Sequence, residues 1–131
     1  MLFSYLYKHL FITANKRSCM KRIAVPLNGT KLSPHFGHCE CFGIYEVEAG
    51  KIRDIKFMVP PTHQPGVYPR WLASLQVTAI IAEGMGQKAR DLFESNGIST
   101  HIGVPDWQPE ELVKALAEGI LPTGDNTCTH T

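Results

Sequence analysis

Residues 77–82, Val-Thr-Ala-Ile-Ile-Ala, form an apolar run without alternation, and they narrow the fold more than any other stretch of the chain. A run of this kind reads as a central strand covered on both faces. It ends at Glu83-Gly84-Met85-Gly86, and a helix begins directly afterwards. In that helix Ala89, Leu92 and Phe93 keep the i, i+3, i+4 spacing of one buried face. Lys88, Arg90, Asp91 and Glu94 face water, and Asn96-Gly97 supplies a left-handed stop. A further strand over residues 98–104 completes a βαβ unit, whose two strands must lie parallel.

The preceding sequence adds antiparallel pairing. A buried strand at residues 23–27 ends at the turn pair Asn28-Gly29. Residues 41–48 and 51–59 are joined by Ala49-Gly50 and read as a β-hairpin. A proline-stiffened loop at residues 60–66 leads to a helix whose first turn suits Pro69, with Trp71, Leu72 and Leu75 as its buried stripe. The last helix opens at Pro109 with Glu110 and Glu111, runs along Leu112, Val113 and Leu116, and stops at Gly119. The fold class is therefore α/β, with a mixed sheet and helices on both faces.

A chain of 131 residues with 44% hydrophobic content is expected to form one domain with a real core. That domain spans residues 20–121, and residues 122–131 read as a flexible tail. Residues 1–19 fit neither a signal peptide nor a spanning helix, because Lys8 and His9 interrupt the apolar residues. Met20-Lys21-Arg22 runs straight into a strand like a natural start, so the upstream segment is expected to be a non-native or disordered extension.

The formal charge is +1, far from the electrostatic footprint of a protein that grips nucleic acid. The four cysteines form no evident disulfide framework, which favours a reducing compartment, the cytoplasm, and no membrane partner is expected. Most of the His and Cys content falls outside regular elements. His35, His38 and Cys39 follow the first strand in a segment that Pro34 and Gly37 keep irregular, with Cys41 just beyond. His63 lies between Pro61 and Pro65, while Cys128 and His130 close the chain. Imidazole and thiolate coordinate soft and borderline transition metals, which makes His35, His38, Cys39, His63, Cys128 and His130 the candidate metal ligands. His35 can equally shape its turn. In an extended segment Cys39 and Cys41 would project to one side, although a free Cys41 entering a strand reads as core packing.

Several motifs occur together in order: Pro34-His35-Phe36-Gly37-His38-Cys39, Pro60-Pro61 with His63 and Pro65-Gly66, Pro69-Arg70-Trp71-Leu72, Gly84-Met85-Gly86-Gln87, and Gly124 with Asn126 and a Cys128-x-His130 ending. In this the chain resembles the dinitrogenase iron-molybdenum cofactor biosynthesis family, over residues 20–130. The resemblance implies a ribonuclease H-like fold with a five-stranded mixed sheet. It implies a non-enzymatic carrier or scaffold that holds an iron-sulfur or iron-molybdenum type cluster as transient cargo and exchanges it with metallocluster donor and acceptor proteins. It also implies that backbone amides around Gly84, Met85 and Gly86 meet the sulfides of that cargo, whereas a dinucleotide fingerprint at the same residues is a weak match. Nuclease chemistry is not implied, since no acidic cluster stands at strand ends to hold two magnesium ions. Two residues depart from the family pattern: Glu83 stands where paired glycines are common, and Thr129 replaces the usual acidic residue of the terminal motif. The chain also lacks the Cys-x-x-x-Cys-x-x-Cys of the fused synthetic enzymes. The alternative is a regulatory or protein-interaction module of the same fold, with structural or zinc-binding His and Cys.

Overall fold

Side chains alternate across β1 (Lys21–Asn28), and that alternation defines the two faces of the sheet. Ala24 joins one apolar core, while Ile23, Val25 and Leu27 join another on the opposite face. The computed structural model describes residues 20–124 and builds the remaining elements outward from this strand. The expected extension at residues 1–19, and Cys128 and His130 of the tail, lie outside the described residues.

On one side of β1 lies the hairpin. β3 (Cys41–Glu48) pairs antiparallel with β1 and turns through Ala49-Gly50 into β4 (Lys51–Met58). Both turn residues have positive φ, 54° and 76°, the twist-matched geometry that two-residue hairpin loops favour. On the other side β5 (Ala79–Ile81) pairs parallel with β1 at Ile23 and Ala24, and β6 (Ser99–His101) pairs parallel with β5. The sheet order is β4-β3-β1-β5-β6.

A sixth strand corrects the expected count of five. β2 (Lys31–Leu32) folds back onto Leu27 and Asn28 of β1, and two residues are too few to carry a readable period. β1 therefore shares one edge between two partners, β5 along its first half and β2 along its second. Pro26 stands where the partner changes. It has no N–H to offer a continuing ladder, and its carbonyl accepts the Ser33 N–H at 2.8 Å instead.

Two helices cover the first face and one covers the second. α1 (Val67–Ser74) contributes Tyr68 and Leu72, and α2 (Gln87–Ser95) contributes Phe93, to the core that holds Ala24, Phe42 and Ile80. α3 (Pro109–Ala117) contributes Leu112 and Val113 to the core that holds Ile23, Tyr45 and Ile81. Full burial of an aliphatic chain such as Ile80 is worth roughly 1.5–3 kcal/mol, so the two cores supply most of the driving force. α1 starts at Val67, where Gly66 turns the chain at φ 83°, and Pro69 falls in its first turn as expected. Among the described residues no helix is long and apolar enough to cross a membrane.

The pairing also fixes direction. β5 and β6 run parallel to β1, and β4, two antiparallel steps away, does so too. Their carboxyl ends thus lie at one end of the sheet, where ligands of open α/β sheets commonly bind.

Gly43 shows how tightly the second face is filled. A Cβ at this position would sit 2.8 Å from Cε1 of the buried Tyr45 and 3.1 Å from Cδ1 of Leu27. Gly43→Ala is expected to destabilise the fold by about 1–3 kcal/mol through overpacking, read as a lower urea midpoint. An unchanged midpoint would mean that Tyr45 moves aside at no cost.

Candidate functional site

The loop after β2 is held by a serine rather than by its histidines. Ser33 is 1% exposed; its hydroxyl donates to the His35 carbonyl at 2.9 Å and accepts the His35 N–H at 3.2 Å. A single 3₁₀ turn, Phe36–His38, follows. Its far end is tied down by Glu40, whose N–H donates to the Leu27 carbonyl (2.9 Å) and to Asn28 Oδ1 (3.0 Å), and whose carboxylate accepts the Gly29 N–H at 2.7 Å. Ser33, Asn28 and Glu40 thus fix a loop that lacks regular structure of its own.

This scaffold leaves three imidazoles on the surface. His35, His38 and His63 are all exposed. The ring of His38 lies 6.4 Å from that of His35 and 6.4 Å from that of His63, between centroids. His63 is seated by packing: its ring meets Tyr68 edge-on at 4.8 Å, and its Nε2 would lie 3.4 Å from a Cβ at Gly37. Two separate loops thus meet at Gly37 and His63, with room for a Cβ at ordinary van der Waals contact. The histidines that the sequence separates by nearly thirty residues form one row.

Beside the row opens a cleft of about 260 Å³. Phe36 and His63 line one side, Tyr68 and Pro69 the floor of the loop, and Lys88, Ala89 and Leu92 of α2 the other side. Phe36 packs edge-on against Phe93 at 5.9 Å and against Tyr68 at 6.4 Å, so the apolar wall is continuous with the first core. Sequence reasoning missed Phe36, Tyr68 and Lys88 as lining residues. Their apolar or helical context gave no signal of a site.

The thiols behave differently from the imidazoles. Cys39 is half-buried against the first core, whereas Cys41 packs against the second. The expectation that they project to one side is therefore corrected: Glu40 anchors the chain to β1 between them, and Cys41 enters β3. Burial pushes the Cys39 thiol up to about 11, and burial followed by the nearby Glu40 carboxylate raises Cys41 as well. Both are thiols at neutral pH, and a thiol must lose its proton to bind metal. Among the described residues no three His, Cys, Asp or Glu side chains gather closely enough to hold a metal ion.

The turn after β5 lies apart from the cleft. Met85 is fully buried in the first core, Gly84 is buried beside it, and neither they nor Gly86 lines the cleft. A large apolar side chain at the root of α2 fills the space between helix and sheet, and the cleft opens one turn further along. The chain toward the tail arrives at the same end of the sheet. Gly124 donates its N–H to the Ile102 carbonyl at 3.2 Å and presses on Gly103, where a Cβ would lie 2.6 Å from the Gly124 backbone.

The family model described as dinitrogenase iron-molybdenum cofactor matches residues 20–119 of the chain. An uncharacterized protein of Methanocaldococcus jannaschii is 33% identical over 108 residues, which cover 78% of this chain and 90% of that protein. The crystal structure of PH0822 superposes with a TM-score of 0.69 at 25% identity, over 79% of this chain and 96% of that one. The apo form of the orange protein from Desulfovibrio gigas superposes with a TM-score of 0.65 at 20% identity, over 82% and 95% of the two chains, and bears on the fold alone.

Two outcomes follow from the site. Alkylation of Cys39 by iodoacetamide at pH 8, followed by peptide mapping, is expected to run roughly a hundredfold slower in the folded than in the unfolded chain, since a rise from 9.0 to about 11 removes that much thiolate. Because the unfolded thiol ionises first, its contribution to stability is complete below 9.0 and is lost as pH rises towards about 11. Ser33→Ala, which strips the loop of two hydrogen bonds, is expected to cost about 1–3 kcal/mol in urea unfolding.

Proposed function

From the premise that the chain belongs to the dinitrogenase iron-molybdenum cofactor family, we propose that it serves metallocluster biosynthesis as a carrier: it receives an iron-sulfur or iron-molybdenum type cluster from a donor protein and passes it to an acceptor. The observation that carries this reading is the row of exposed imidazoles, His35, His38 and His63, whose last member lines the apolar cleft. The cluster is cargo. A carrier has to release it, so a grip by a few imidazoles suits the task better than a closed four-ligand site.

The chemistry of the cleft fits an anionic cluster with sulfide edges. Phe36, Tyr68 and Leu92 exclude water from one side of the cargo, while Lys88 and the positive end of α2 favour negative charge. Imidazole nitrogens approach metal without giving up a proton when they are neutral, whereas Cys39 must first be deprotonated against the cost of its burial. The histidines are therefore the primary contacts in this reading and Cys39 a secondary one. Cys128 and His130 remain candidate ligands of the cargo by their residue type. No step of bond-making in the protein is required, so the chain acts without catalysis, in the cytoplasm. The order β4-β3-β1-β5-β6, with β3 the antiparallel member of that path, supports a ribonuclease H-like assignment of the fold.

Anaerobic titration of the purified protein with a soluble iron-sulfur or iron-molybdenum cluster, followed by absorbance, tests the reading. His35→Ala and His63→Ala are each expected to weaken binding at least ~10-fold, the usual scale for lost support of a metal. Unchanged binding in both variants would sink the site. Stoichiometric zinc without iron or molybdenum in protein purified without added metal would instead favour an interaction module.

A further inference from the structure

We infer that β4 is a face at which two copies of this chain pair, edge to edge and antiparallel about Ile55. β4 ends the sheet, and among the described residues nothing pairs with its outer side. It is a strand of eight residues, and two exposed apolar side chains stand at its end, Phe57 within it at 64% and Val59 just beyond it at 80%. An edge of this length is a template for another strand.

Charge selects the occupant. Asp54 and Lys56 flank Ile55, are both exposed, and lie on the same face of the sheet, opposite Glu46 and Ile44 of β3. Among the described residues neither makes an ion pair: Glu46 is taken by Arg22 at 3.0 Å, and Arg53 is the β4 residue that reaches Glu48. Asp54 thus stands opposite Glu46, whose charge Arg22 already takes up, and has no ion-pair partner of its own among the described residues. An antiparallel twin centred on Ile55 puts Asp54 of each copy directly opposite Lys56 of the other, at the spacing where cross-strand pairs interact. Moving the centre by one residue faces Asp54 with Asp54 or Lys56 with Lys56. The sequence of this edge therefore favours one register of self-pairing and opposes its neighbours.

The opposite face agrees with that register. Ile55 and Phe57 point to the side of the second core, opposite Tyr45 and Gly43, so the twin sets Ile55 against Ile55 and brings Phe57 diagonally beside it. Edge cations and a bulge ordinarily keep such a strand single, and β4 has both, the bulge falling at Arg53. The bulge limits the paired stretch, and Asp54 converts the lysine from a guard into a partner. Because the copies run antiparallel, the loops that follow Met58 leave at opposite ends, and both His63 clefts stay open.

Sedimentation velocity of the full chain over about 10–500 µM tests the pairing, a range suited to the weak class of small interfaces. The wild type is expected to shift from monomer to dimer across it. Asp54→Lys and Lys56→Asp, each alone, are expected to stay monomeric, and their equimolar mixture is expected to regain a dimer, which also shows both to be folded. A wild type that remains monomeric throughout, dimers indifferent to either substitution, or a mixture that fails to associate would overturn the proposal.

Discussion

The edge of β1 that faces β5 carries the architecture. Its first half is taken by a parallel strand and its second half by a two-residue return of its own chain, with Pro26 at the change of partner. A proline inside a central strand would ordinarily break the ladder. Here it ends the ladder where the sheet must open, and the loop that follows is released at the carboxyl end while remaining pinned through Ser33. Everything that reads as a site grows from that opening, because the pairing directions send the loops after β1, β4, β5 and β6 to the same end.

At that end the loops meet through packing rather than through shared ligands. The His63 ring meets the loop at Gly37, Tyr68 backs it, and Phe36 roots the loop in the first core. The result is an apolar cleft lined by His63, with His38 and His35 beyond it. The same packing that buries Cys39 raises its pKa, so the two ligand chemistries that adjoin in sequence are separated in readiness: the imidazoles are exposed, and the thiol is held protonated. A surface of this kind suits a cargo that must arrive and leave intact.

Much of the fold was legible because its elements carry strong periods. The hairpin of β3 and β4 follows from β-branched and aromatic residues on either side of Ala49-Gly50, and α2 follows from Ala89, Leu92 and Phe93. What was not legible is local and short. β2 has two residues, and β5 and β6 keep only three paired residues each of the longer runs expected, since strand length depends on where a neighbour stops. The site divides in the same way. The His and Cys residue types marked the loops, yet the meeting of His63 with Gly37 depends on tertiary packing, as does the burial of Met85. A glycine-rich turn looks identical in sequence whether its methionine faces a ligand or the core.

The central claim is that exposed histidines of this cleft, rather than cysteines, contact the cluster. Pulsed electron paramagnetic resonance of the protein loaded anaerobically with a paramagnetic cluster, once with natural and once with isotope-labelled histidine nitrogen, reads that contact directly. The account predicts nitrogen couplings that change with the histidine label and diminish in His35→Ala. Couplings that ignore the label, or none at all in a fully loaded sample, would contradict it.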